Sequence, residues 1–377
     1  MTDEPTESPA PLRDEKGEAF LIASQWRLMW WKFRKHKPAV VCSVVLILFY
    51  LMAVFCEFVS PSDPRKRNSQ YIYVPAQRVH FFAKDGFHLR PFVYRWKGGV
   101  LDENWTRVYE TDTSEPLSLT LFVKGDPYKL FNLIPMKRHL FGLAGDERLF
   151  LLGADHLGRD LLSRVIYGAR VSLSVGLIGV LLSLVFGCIM GGISGYFGGR
   201  VDTVIQRIIE TLMSLPTLPL WMGLGAALPP TWSPLQIYFG MILILSVIGW
   251  TGLARVVRGK ILSLREEDFA MAARLAGASE MRIIRKHLLP SFYSYLIVSL
   301  TLSVPGMILA ETTLSYLGLG LRPPVISWGV LLQQAQDVQT LSKYPWMLTP
   351  AFFVIAVVLS FNFVGDGMRD AADPYTR

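Results

Sequence analysis

Apolar residues in this chain gather into runs of about twenty with few charges among them, each long enough to cross some 30 Å of hydrocarbon as a helix. Six spans are predicted on this basis, at residues 39–59, 169–196, 204–228, 237–256, 292–314 and 346–364. The second is threaded with Gly176, Gly179, Gly187, Gly191, Gly192 and Gly195. Small residues at this spacing let helix backbones approach closely in lipid. The third contains Pro216 and Pro219 and is expected to break or kink there.

Residues 60–164 interrupt the pattern. They are polar, rich in aromatic residues, and nowhere apolar enough to span. Residues 93–96 and 117–123 alternate in polarity, which predicts short strands. The chain therefore divides into four parts: a tail with a basic interfacial helix (1–38), a first transmembrane helix (39–59), an extracytoplasmic insertion able to hold β-structure (60–164), and a core of five further spans (165–377). The fold class is all-α polytopic membrane protein.

Composition supports this reading. Hydrophobic residues make up 51% of the 377 positions and charged residues 18%, below the quarter usual in soluble chains. The net charge of +8 could suggest nucleic acid. However, the basic residues flank apolar spans, as the positive-inside rule describes. Trp26, Trp30 and Trp31 interleave with Arg27, Lys32, Arg34 and Lys35 just before the first span, a composition suited to the headgroup zone of the cytoplasmic leaflet. The loop 255–290 is also strongly basic, while the Pro-Pro-Thr-Trp-Ser-Pro segment at 229–234 carries no positive charge. Both termini are thus expected in the cytoplasm. Residues 1–25, with Pro5, Pro9 and Pro11, read as a disordered tail without a cleavable signal. Cys42, Cys56 and Cys188 lie in or beside spans and form no CxxC pair, so inert thiols are expected.

The loop 255–290 carries the strongest functional signal. Ser263 and Glu266 have capping-box spacing ahead of Phe269. Glu266, Glu267 and Asp268 fill a first helical turn, where the helix dipole favours anions. Phe269, Ala272, Ala273 and Ala276 recur at i, i+3, i+4 and i+7 and form one small apolar face. Gly277 suits the left-handed residue after a helix end. Ser279 can cap a second helix with Met281, Ile284 and Leu288 on its apolar side, and Pro290 marks the start of the fifth span. Two short helices hinged at a glycine suit docking into a partner's groove; a structural loop lying on the membrane surface is the alternative.

Ala272-Ala-Arg-Leu-Ala-Gly277, with Leu289-Pro290 following, resembles the coupling loop of ABC-importer permeases, with Met271 where that motif has its glutamate and His287 where it has an aliphatic residue. Residues 152–170, containing Gly153-Ala-Asp-His-Leu-Gly-Arg-Asp160, are similar to the stretch before the second span in dipeptide, oligopeptide and nickel permeases, with Ala154 for the usual threonine. Glu311-Thr-Thr-Leu-Ser-Tyr-Leu-Gly-Leu-Gly320 and Gly365-Asp-Gly-Met-Arg-Asp-Ala-Ala-Asp-Pro374 resemble two further stretches of that family. The long insertion resembles its longer members, among them permeases for microcin-like peptides.

The resemblance implies a MetI-like importer-permease bundle working by alternating access. It implies as partners a second permease subunit, one or two ABC ATPase subunits and an extracytoplasmic solute-binding protein, in the bacterial cytoplasmic membrane. It implies a peptide or peptide-like solute, with nickel, opines or sugars as alternatives. ATP and Mg would be used by the ATPase; this chain has no GxxxxGK[ST] loop and is expected to bind no cofactor and to have no catalytic residue. Coupling would fall to Glu266, Glu267, Asp268, Phe269, Ala272, Ala273 and Gly277. Glu210, Glu311 and Ser315 are candidates for the translocation path, because ionisable groups at membrane depth tend to face cavities or bundle interiors.

Other chemistries fit less well. Asp155, His156 and Asp160 read as a capped turn rather than metal ligands, since their spacing is loose. Ser194 lies between glycines as in intramembrane proteases, but spans two to six contain no histidine to serve as base. An ion-coupled carrier would need a coupling site that the spans do not offer.

Overall fold

The structure, a computed structural model, describes residues 25–83, 86–103, 107–145 and 147–372. The polar tail and the final Asp373-Pro374 of the terminal motif lie outside the described residues. Helix α1 (Gln25–Lys35) leads into α2 (Lys37–Val54) and the short α3 (Cys56–Val59). Strands β1 (His80–Ala83), β2 (Gly86–Leu101), β3 (Arg107–Leu130) and β4 (Ile134–Leu143) follow. The remainder is helical: α4 (Leu161–Phe197), α5 (Gly199–Ser214), α6 (Thr217–Ala226), α7 (Pro234–Leu264), α8 (Asp268–Leu275), α9 (Glu280–Ile283), α10 (Tyr293–Tyr316), α11 (Trp328–Gln333), α12 (Val338–Lys343) and α13 (Thr349–Ala372).

Among the described residues, five stretches are long and apolar enough to cross a membrane: Lys37–Val54, Leu161–Phe197, Pro234–Leu264, Glu280–Tyr316 and Pro345–Ala372. The predicted third span is not a single helix. It divides into α5 and α6 at Leu215 (φ −81°, ψ 135°), the residue before Pro216. Proline drives its predecessor out of helical geometry and brings no N–H of its own. The fifth span also begins earlier than predicted. A π turn (Ile284–Leu288) and a 3-10 turn (Leu289–Phe292) join α9 to α10 without a break.

The glycines of α4 form its contact seam with α7 and α10. A Cβ on Gly191 would lie 2.5 Å from the Ala254 carbonyl oxygen, and one on Gly195 2.7 Å from that of Arg258. On the other side, a Cβ on Gly176 would meet Ile308 Cγ1 at 2.5 Å. None of these approaches tolerates a methyl group. The buried core around the seam includes Leu173, Leu245, Ile308, Leu314 and Trp328.

The four strands form an antiparallel meander in the order β1-β2-β3-β4. Val93 pairs with Leu117, which brings together the two alternating stretches seen in the sequence. The strands are longer than predicted, 16 residues for β2 and 24 for β3. Register shifts at Tyr94/Arg95 and Lys124/Tyr128 let each strand continue after its alternation slips. Val93, Leu143 and Leu149 form a small core of this sheet.

Two polar knots bind α4 to the segments that lead into and out of the sheet. Arg170 on α4 donates Nη1 and Nη2 to the Glu57 carboxylate on α3 (2.5 and 2.6 Å), and its Nε to the Ala53 carbonyl (2.9 Å). At the second knot, Asp155 is fully buried and accepts from the Leu157 and Arg159 N–H groups (2.8 and 3.0 Å), Arg159 Nε (2.7 Å) and Arg164 Nη1. Burial alone would raise the Asp155 pKa, but the Arg164 and Arg159 charges and these donors outweigh it and hold it below the usual carboxylate range. Asp160 caps α4 through the Ser163 N–H (2.8 Å). Complete burial pushes Asp160 up to about 6, against the lowering effect of its Ser163 donors. The Asp155–Asp160 stretch is therefore a hydrogen-bonded turn and helix cap.

Candidate coupling site

Helix α7 does not end where the capping-box spacing suggested. It runs through Ser263 to Leu264, with the Arg265 N–H still bonded to the Ile261 carbonyl at 2.9 Å. Ser263 is thus an exposed residue in the last turn of α7, and the predicted box does not form. Glu267 (φ −73°, ψ 150°) is the N-cap of α8 and uses its backbone: its carbonyl accepts from the Ala270 and Met271 N–H groups (2.9 and 3.1 Å). Glu266, Glu267 and Asp268 are all exposed at this end, where α8's dipole favours negative charge.

The other end closes as the sequence predicts. Gly277 has φ +76° and directly follows the C-cap residue Ala276. Its N–H bonds to the Arg274 carbonyl at 3.0 Å, and the Ala278 N–H reaches back to that of Ala273 at 3.1 Å. This pair of bonds is the Schellman arrangement, which needs a left-handed residue at the glycine position. Ser279 then starts α9 without a side-chain cap bond.

Ala270 is 3% exposed and sits in a cluster with Tyr196, Ile261, Ile283, Ile284 and Leu288. Ala273 packs half-buried against the same cluster. The inward stripe of α8 is therefore Ala270 and Ala273, small enough for close seating. Two arginines fix its ends. Arg265 Nη1 donates to the Gly195 and Tyr196 carbonyls at the end of α4 (3.3 and 3.2 Å). Arg274 lies over the Tyr196 ring, 5.7 Å from its centroid, and donates to its hydroxyl at 3.3 Å. Below them Arg258 on α7 grips Asp202 on α5 with two bonds of 2.5 Å.

Phe269, Ala272 and Ala276 face outward, as the apolar-face pattern suggests; Ala273 turns partly inward. Sequence reasoning missed two outward apolar residues, Met271 (47% exposed) and Leu275 (88%). Their signal was present: in an eight-residue helix seated on Ala270, positions one and five residues further along point away from the seat. Of the predicted apolar side of α9 and the turn after it, Ile284 and Leu288 are buried whereas Met281 is exposed.

The remaining candidates are scattered. Glu210 is on the exposed face of α5, ion-paired with Arg207 at 2.8 Å. Glu311 and Ser315 are fully buried within α10. Glu311 accepts from Ser172 Oγ on α4 (3.0 Å) and Ser315 Oγ (2.8 Å). Those hydroxyls in turn accept the Trp328 N–H (3.1 Å) and the Leu321 N–H (3.0 Å). The network ties α4, α10 and the segment before α11 together. Removing its central acceptor strands two buried hydroxyls, at about 1–3 kcal/mol for each unsatisfied group. Glu311→Leu is accordingly expected to lower the melting temperature of the purified protein, and Glu311→Gln, which keeps an oxygen, to recover much of it. A leucine variant melting with the unaltered protein would show that the network contributes nothing.

A long apolar bundle with a short, exposed helix on a basic loop is the architecture of a membrane-spanning protein. The chain belongs to the family described as binding-protein-dependent transport system inner membrane component, which it matches over residues 183–377. Residues 24–76 match the N-terminal transmembrane domain of oligopeptide transport permease C. The dipeptide transport system permease protein DppC of Bacillus subtilis (strain 168) is 42% identical over 248 residues, covering 65% of this chain and 72% of that protein. The oligopeptide transport system permease protein OppC of Haemophilus influenzae is 42% identical over 232 residues, covering 61% and 72%. DppC of Alkalihalophilus pseudofirmus is 30% identical over 375 residues, covering 99% and 96%, so that match extends through the β-sheet segment. Among solved structures, an inward-facing form of the MetNI methionine ABC transporter aligns with a TM-score of 0.45 at 19% identity, over 56% of this chain and 98% of that one.

Proposed function

We propose that this chain is the membrane-spanning permease subunit of an ATP-driven, binding-protein-dependent importer of peptides or peptide-like solutes. The peptide reading draws support from relatives named as dipeptide and oligopeptide permeases. In this reading the chain crosses the membrane six times, α5 and α6 together making the third crossing, and both termini and α8 lie in the cytoplasm. The sheet lies on the opposite side, where a solute-binding protein delivers its cargo. A second permease subunit completes the path, and ABC ATPase subunits bind and hydrolyse ATP with Mg.

The observation that carries the reading is α8 itself. It offers Phe269, Met271, Ala272 and Leu275 outward while Ala270 and two arginines hold it against the ends of α4 and α7. An exposed apolar face of this size on a loop invites a partner's groove. A push on α8 passes through the Ala270–Ile284–Leu288 cluster into α4, α7 and α10 together, so that ATPase closure can rock the spans between inward- and outward-open states. Glu266, Glu267, Asp268, Phe269, Ala272 and Gly277 are the contact residues, and Ala273 supports from behind.

A photo-crosslinker in place of Ala272, which is exposed, tests this in cells that express the whole system. It is expected to capture an ATPase subunit, and the same probe at Ala270 to capture none. If neither position yields an ATPase adduct, while tagged protein also co-purifies without one, the coupling assignment fails.

A further inference from the structure

A cavity of about 300 Å³ lies inside the bundle, between α4, α6, α7 and α10. Ser183, Trp221, Gly249, Ser299, Ser303 and Gly306 are among its lining residues, and no charged side chain is. Two of its polar groups are orphaned. Ser183 is 6% exposed and its Oγ has no hydrogen-bond partner among the described residues; the buried Trp221 Nε1–H has none there either. Buried donors in folded chains are almost always paired, so two orphans on one cavity wall call for an occupant. Gly249 faces Ser183 closely: a Cβ there would stand 2.6 Å from the hydroxyl. The glycine leaves the hydroxyl free but offers it nothing.

On α10, Ser299, Ser303, Gly306 and Ala310 line the cavity at helical spacing. Ser303 and Gly306 are exposed, and a Cβ added to Gly306 would meet nothing within 4 Å. Ser303 Oγ donates to the Ser299 carbonyl one turn back (2.7 Å), so the open side of the cavity is marked by the exposure of these residues. The cavity therefore opens toward the side of α10 that this chain does not cover. Its volume equals that of about ten waters at liquid density, the size of a short peptide segment.

We propose that this cavity is a subsite for the peptide backbone during translocation, resting on the importer reading above. Trp221 Nε1–H donates to a peptide carbonyl, and Ser183 Oγ takes part with either a carbonyl or an N–H. With no charge on its walls, the subsite engages the neutral backbone and small side chains rather than the charged termini. Glycine at 249 and 306 leaves the width for them.

The test uses the complete complex in proteoliposomes, with Cys42, Cys56 and Cys188 replaced by serine and Gly306→Cys introduced. The probe peptide is trialanine, supplied with its binding protein and ATP. Maleimide labelling at position 306 is expected to slow several-fold during peptide turnover. In variants that still co-purify with the ATPase, Trp221→Phe and Ser183→Ala should each reduce trialanine uptake about 2- to 10-fold, the equivalent of one net hydrogen bond. Labelling indifferent to peptide, together with full uptake by the Trp221→Phe/Ser183→Ala double variant, would mark a water-filled void and overturn the subsite alone. Failure of the unaltered complex to import any peptide would overturn the importer reading, and the subsite with it.

Discussion

Asp155→Ala is expected to destabilise the purified protein by about 3–5 kcal/mol, the cost of leaving a buried guanidinium without its counter-charge. Arg164 is 2% exposed, and its Nη1 donates to Asp155 and to Gln334 (2.8 Å). The alanine variant also loses the acceptor for two backbone N–H groups and for Arg159 Nε. Thermal unfolding in nanodiscs measures the effect. Asp155→Asn should fall between the two, because it keeps an oxygen but no charge. Converting both members to apolar residues, Asp155→Leu with Arg164→Met, should recover part of the loss, since the penalty lies in the uncompensated charge. Equal melting of the alanine variant and the unaltered protein would mean that the turn before α4 is held by something else.

Gly277→Val is expected to cut transport while sparing membrane insertion. At φ +76° a side chain collides with the following carbonyl, at roughly 1–2 kcal/mol, and a β-branched one fares worse. The strain is relieved by abandoning the Schellman closure, which lets α8 turn away from its seat. The position is exposed and a Cβ there meets no neighbour, so packing of the bundle is not at stake. Uptake per membrane-inserted molecule should fall about tenfold or more, by the arithmetic of some 1.4 kcal/mol per decade. Gly277→Asn, which tolerates the left-handed region, should retain most of it. Unaltered uptake by the valine variant would refute the role given to this closure.

The long spans were legible because charge is costly in hydrocarbon and its absence marks a chain over some twenty positions at once. The helix break at Pro216 and the closure at Gly277 were legible for a related reason: each depends on one residue with no conformational substitute. Less could be read where several residues act together over distance. The capping spacing at Ser263 has force only where a helix begins, and α7 was already under way, held by the buried Val257 and Ile261. Strand lengths escaped because β-bulges reset the alternation that reveals them. The Glu57–Arg170 clamp joins residues 113 positions apart and leaves no local trace. Glu311 was legible as an ionisable group at membrane depth, but the hydroxyls it accepts from, on α4 and on its own helix, were not.

Helix α4 has a mechanical consequence. At 37 residues it is about 55 Å long, well beyond the roughly twenty residues a bilayer requires. One end carries Tyr196, on which Arg274 of α8 rests; the other starts at Asp160, beside the turn whose Ala154 packs in a cluster with Trp96 and Tyr109 of the sheet. Its glycine seam presses it to α7 without room for slip. Such a rod acts as a rocker beam: pivoted at mid-length, a tilt of one degree moves each tip by about 0.5 Å in opposite senses. A tilt of α4 thus displaces the turn beside the sheet and the seat of α8 together, in opposite senses.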